Sequence, residues 1–132
     1  MAEIAPPIMP ATWVVFSLPA PPSANNLYFN VPGRGRVKSD KYKAWAIEAG
    51  WAAREQHSPL PQYPDKVMVD IDLPRGLDID NAQKAIFDLL QMPQRNRLKQ
   101  GLGIITDDKM IEHLVIRRVP AEQPFTVRLR AA

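Results

Sequence analysis

The chain has 132 residues, 45% of them hydrophobic and 23% charged, the size and composition of one ordinary globular domain. It contains no cysteine, which excludes disulfides and thiolate-held metals. No stretch approaches the roughly 18 apolar residues needed to cross a bilayer, so no membrane partner is expected, and the lack of cysteine fits an expected cytoplasmic location. Segment 1–12 carries Glu3, Pro6, Pro7 and Pro10 and no basic start, so it is expected to be a flexible tail ahead of one domain over 13–132.

Net charge is only +3, but the charges are segregated. Arg34, Arg36, Lys38, Lys41 and Lys43 form one basic run, Arg95, Arg97 and Lys99 a second, and Arg117, Arg118, Arg128 and Arg130 a third. Most acids lie between Asp65 and Asp108. Basic flanks around an acidic centre suit a protein that grips a polyanion around a metal, although a solvated surface can cluster in the same way.

In chain order, 13–18 is β-branched and aromatic and ends at Pro19, predicting a strand. A turn-rich loop follows and runs on through Pro32-Gly33-Arg34-Gly35-Arg36. Ser39 or Asp40 is the expected N-cap of a helix to about Gln56, with Tyr42, Trp45, Ala46, Ala49 and Ala53 on its apolar face. Val67, Val69, Ile71 and Leu73 alternate with Met68, Asp70 and Asp72, the period of a half-buried strand whose aspartates face solvent. A second helix over about 79–91 buries Ile79, Ala82, Ile86, Leu89 and Leu90. After a polar, basic segment at 92–103, residues 110–119 and 125–130 read as two strands of a hairpin. The order β-α-β-α-β-β predicts a single-domain α+β fold, with a small mixed sheet and two main helices.

Asp78 and Asp80 stand at the start of the second helix, and Asp107-Asp108 at the entry to a following strand. Hard divalent cations take a few carboxylates plus substrate phosphates, and they activate water for phosphodiester hydrolysis. Lys84 lies one helical turn after Asp80, where a lysine can meet a phosphate as a point charge. Each residue also has a structural reading. Asp78 is an N-cap, Asp80 complements the helix dipole and pairs with Lys84, and Asp107-Asp108 is a turn. His57 and His113 are too far apart in sequence to suggest a metal pair. Gly33-Arg34-Gly35 lacks the strand-then-helix setting of a phosphate loop.

Four segments taken together resemble the RusA family of Holliday-junction resolvases. They are Pro21-Pro22-Ser23-Ala24-Asn25-Asn26, Gly35-Arg36-Val37-Lys38-Ser39, Asp78-Ile79-Asp80-Asn81-Ala82-Gln83-Lys84-Ala85-Ile86-Phe87-Asp88, and Thr106-Asp107-Asp108. The resemblance runs from about residue 13 to 130 and keeps the family order. It implies an endodeoxyribonuclease of DNA recombination and repair, a homodimer that makes paired symmetric nicks in four-way junctions. The implied cofactor is Mg2+, for which Mn2+ substitutes, with no organic cofactor. Carried over by position, Asp78, Asp80 and Asp108 hold the metal, Asp107 supports them, Lys84 lies near the scissile phosphate, and Asn81 and Gln83 have positioning roles. The DNA-contacting set expected on this reading is Arg34, Arg36, Lys38, Lys41, Lys43, Arg75, Arg95, Arg97 and Lys99. Leu77 departs from the family pattern, which often has arginine before the first aspartate. The 92–103 segment is also longer than the family connection, and is expected either as an added DNA-contacting loop or as a disordered insertion. The alternatives left open are a structure-selective DNA-binding protein, or a nuclease for flaps, forks or replication intermediates.

Overall fold

A computed structural model describes residues 12–23, 28–93 and 98–132. Residues 1–11 of the expected 1–12 tail, and Asn25, Asn26, Arg95 and Arg97, lie outside the described residues. The elements in order are β1 (Val14–Leu18), β2 (Tyr28–Val31), β3 (Gly35–Lys38), α1 (Asp40–Gln56), β4 (Val67–Pro74), α2 (Ile79–Leu90), a 3-10 turn (Asp108–Met110), β5 (Ile111–Val119) and β6 (Phe125–Ala131). This is the expected α+β domain with a small mixed sheet and two main helices, enlarged by the hairpin β2–β3.

The hairpin occupies sequence that reads as loop. Arg34 donates its amide to the Val31 carbonyl at 3.0 Å across Pro32-Gly33, and Gly33 has a φ of 79°. Proline at the second and glycine at the third position of a turn is the type II signature, and it reverses the chain between two short strands.

The four-stranded sheet has the order β1-β6-β4-β5. β4 and β5 run parallel, joined by the crossover through α2, whereas β6 is antiparallel to both β4 and β1. The expected hairpin of the last two strands is therefore not formed. β6 buries Phe125, Val127 and Leu129 and takes the interior place, while β5, carrying Glu112, His113, Arg117 and Arg118, takes an edge. A charged edge strand also resists pairing with other chains. The other edge, β1, is covered by the end of α1. Gln56 donates to the Ser17 carbonyl and accepts from the Ser17 amide, each at 2.7 Å, and the His57 ring meets the Val15 carbonyl at 2.8 Å.

One sheet face carries the core. Val67, Val69, Ile71 and Leu73 of β4 pack with Tyr42, Trp45, Ala46 and Ala49 of α1 and Ala82, Ile86, Leu89 and Leu90 of α2. Ile79, expected in that apolar stripe, stays 41% exposed. On the other face Asp70 and Asp72 are not simply solvated. Arg117 Nη1 lies 2.6 Å from Asp70 and 3.0 Å from Asp72, and Arg128 Nη2 lies 2.6 Å from Asp72. The cross-strand register, Asp72 opposite Arg117 and Asp70 opposite Arg128, builds this ladder over three strands.

Of the basic segment at 92–103, residues 92–93 and 98–103 are described. Leu98, Ile104 and Ile105 are buried, and the chain folds back on the end of α2. The amide of Leu102 donates to Leu89, those of Ile104 and Ile105 to Leu90, and that of Gly103 to Gln91. The last carbonyls of a helix lack partners within it, and this return strand supplies their donors. Gly101 lies so close to the Gln91 carbonyl that a Cβ there would collide with it.

Two expectations follow. Gly101→Ala should lose about 1–3 kcal/mol of stability in denaturant unfolding, because backbone rather than a movable side chain is in the way. The Arg128 hydrogen bond, aided by Arg117, holds the Asp72 carboxyl below its ordinary value. A lowered folded-state pKa contributes stability that is present above the unfolded value of about 3.9 and lost as pH falls through the folded value. Unfolding followed below about pH 4 should therefore show a smaller acid loss in Asp72→Asn than in the wild type.

Candidate active site

The crossover from β4 to α2 and back to β5 decides where the acidic residues meet. Asp78 caps α2, accepting the Asn81 amide at 3.0 Å from an extended backbone conformation. Asp80 lies in the first turn and Lys84 one turn later. Asp107 caps the short 3-10 turn by accepting the Lys109 amide at 2.9 Å, and Asp108 follows as its first residue. Because residues 98–105 are fastened to the end of α2, this turn comes back beside the helix.

The result is a pocket of about 310 Å3 lined by Asp80, Gln83, Lys84, Phe87, Asp88 and Asp108. Three residues expected to act together, Asp80, Lys84 and Asp108, thus share one cavity, and Gln83 joins them. Asp78 faces elsewhere. It lines a neighbouring cavity of about 290 Å3 with Pro21, Pro22, Ser23 and Asn81, and another of about 450 Å3 with Arg75, Gly76, Leu77 and Arg118. The upstream Pro-Pro-Ser segment therefore reaches the start of α2. Asn81 Nδ2 is buried there without a hydrogen-bond partner among the described residues.

Lys84 turns forward along the helix. Its Nζ is 4.0 Å from Asp88 Oδ2, an i,i+4 pair, in place of the expected pair with Asp80. The ammonium also lies 5.7 Å from the centre of the Tyr28 ring, on which Arg36 stacks at 4.4 Å. The hairpin thereby sets Arg36 against the same ring as Lys84, and Arg34, Lys41 and Lys43 are exposed nearby in the chain. Lys99 is exposed on the return segment.

The third basic cluster does not act as a single patch. Arg117 and Arg128 are engaged with Asp70 and Asp72, and Arg130 stacks 4.9 Å from the Trp13 ring. Arg118 reaches the Leu77 carbonyl and stands with Arg75 beside Asp78. Arg118 of β5 thus stands beside Leu77, the residue before Asp78. Nothing local in the sequence signals this, since it depends on the parallel pairing of β4 with β5.

Among the described residues no three His, Asp or Glu side chains are gathered closely enough to hold a metal by themselves. Asp80 and Asp108 nevertheless offer hard oxygen donors in one pocket. That donor set fits Mg2+, which keeps several waters and completes its shell with substrate phosphate. No protein-family model matches the chain, and no curated protein matches it.

The two roles open to Asp78 are separable. Asp78→Ala should destabilise the protein by about 1 kcal/mol through loss of the cap, whereas Asp78→Asn, which keeps an acceptor, should be nearly neutral. Urea unfolding of both variants measures the difference.

Proposed function

We propose that this protein is a RusA-like, Mg2+-dependent endodeoxyribonuclease that nicks four-way DNA junctions. The observation that supports this reading best is the shared cavity of Asp80, Asp108, Lys84 and Gln83, formed by two segments far apart in the chain. Asp80 and Asp108, with Asp78 at the adjoining edge, would hold Mg2+, which when bound supplies charge neutralisation and an acidified water at the phosphate. Mn2+ fills the same role on this reading.

The protein's own residues do the rest. Lys84 sets a positive charge beside the carboxylates, where it offsets the charge that develops on phosphate oxygens during hydrolysis. Gln83, an uncharged donor and acceptor on the same wall, orients the scissile group. Arg75 and Arg118 flank Asp78, while Arg34, Arg36, Lys38, Lys41 and Lys43 line the approach from the hairpin and α1, so junction arms are gripped through their backbones rather than by sequence. A homodimer presents two such sites to a junction with pseudo-two-fold symmetry, which gives paired nicks.

Asp80→Asn removes one metal-facing charge and no packing. It should slow nicking of a synthetic four-way junction by at least about 100-fold, the scale for losing a group that acts mainly in the transition state. Binding measured without Mg2+ should stay within a few-fold of the wild type. Cleavage of the wild-type protein's preferred substrate at an undiminished rate by Asp80→Asn overturns the assignment, and a panel of junctions, flaps and forks identifies that substrate.

A further inference from the structure

Asp88 has no part in the metal reading, yet among the described residues it is the acid most withdrawn from solvent, at 9% exposure. A carboxylate is rarely buried without partners, because desolvation disfavours its charged form. Its partners come from two other parts of the fold. Tyr42, on the first turn of α1 and fully buried, donates its hydroxyl to Asp88 Oδ2 at 2.6 Å. The Lys84 ammonium is 4.0 Å from that same oxygen.

Tyr42 is suited to the task. Burial, together with its hydrogen bond to Asp88, pushes its phenol far above the ordinary value, so it remains a donor throughout the working pH range. It also braces the second contact of Lys84. The Tyr28 ring packs edge-on against Tyr42, with centres 5.8 Å apart, and lies 5.7 Å from the Lys84 ammonium. The flexible lysine is thus held between a carboxylate and an aromatic face, both anchored on one buried tyrosine. Its side chain remains half exposed, on the wall it shares with Asp80 and Asp108.

We propose that Asp88, fixed by Tyr42, is a positioning residue that aims the Lys84 ammonium into the pocket. The role of Lys84 itself rests on the nuclease reading above; the aiming does not. A side chain with four free torsions is effective only when its charge waits where the reaction needs it, and preorganisation of this kind raises turnover rather than affinity.

The test uses the full chain, a synthetic four-way junction and single-turnover conditions in Mg2+. Asp88→Asn keeps an acceptor for Tyr42 and removes the charge facing Lys84, while Tyr42→Phe keeps the ring and removes the tether. Tyr42→Phe should lower the cleavage rate about 10-fold and Asp88→Asn somewhat more, with junction affinity and the Mg2+ midpoint unchanged. In a Lys84→Ala background, Asp88→Asn should add less than about a twofold loss, since residues that act as one unit are not additive. Equal losses in both backgrounds, or a shifted Mg2+ midpoint that makes Asp88 a metal ligand, would overturn the proposal.

A second readout needs no catalysis. Acetylation of Lys84, followed by mass spectrometry against Lys66 and Lys99 as internal references, should accelerate about threefold in Tyr42→Phe. An unchanged rate overturns the positioning role even if Asp88→Asn fails to fold. If the wild-type protein nicks no DNA while Lys84 labelling still accelerates in Tyr42→Phe, the nuclease reading fails and the positioning stands.

Discussion

The candidate site depends on how the end of α2 is satisfied. A helix buried against a sheet cannot leave its last carbonyls to water, and here the chain itself returns to meet them through the amides of Leu102, Gly103, Ile104 and Ile105. That return buries Leu98, Ile104 and Ile105 and sets Gln91 beside Ile105 in a parallel bridge. It also carries the next residues back along the helix, so that Asp108 lines the same pocket as Asp80 and Lys84. A backbone requirement at one end of the helix therefore assembles the acidic pocket along its side.

The second constraint is electrostatic. Seventeen basic residues give a net charge of only +3, and the fold does not use them alike. Arg117 and Arg128 are tied into the ladder with Asp70 and Asp72, on the sheet face opposite the helices. Arg36 is laid on Tyr28, close to Lys84, and Arg118 crosses to the start of α2. Lys84 is the cation that lines the pocket itself, while Arg75 and Arg118 stand beside Asp78. Arg117 and Arg128 serve the sheet instead. Opposed strands align charges over several residues, and short pairs of this kind are held by register as much as by attraction.

Much of the local structure was legible from residue patterns. Ser39 as the cap of α1, the alternation through β4 and the cap at Asp78 all rest on interactions within a few residues. The β2–β3 hairpin carried its own signal in Pro32-Gly33, but its strands are so short that the segment reads as loop. The placing of β5 and β6 was not legible, because nothing in a strand's alternation names its neighbour. Burial decided it, sending apolar β6 inward and charged β5 to the edge. Asp70 and Asp72 were likewise assigned to solvent, since their arginine partners lie 45 or more residues away.

The sequence by itself determined which side chains were chemically capable: a helix-start pair of aspartates, a lysine one turn on, and a second acidic pair downstream. It determined these because capping, helical spacing and turn chemistry act over four residues or fewer. Only the tertiary structure decided which of them meet. Asp80, Lys84 and Asp108 share a pocket, while Asp78 looks toward Arg75, Arg118 and the Pro-Pro-Ser segment. Asp88, the last residue of the Asp78–Asp88 segment, gains its place from a tyrosine 46 residues away. Such meetings depend on strand order and on the path the chain takes to satisfy buried backbone, and neither is encoded within a local window.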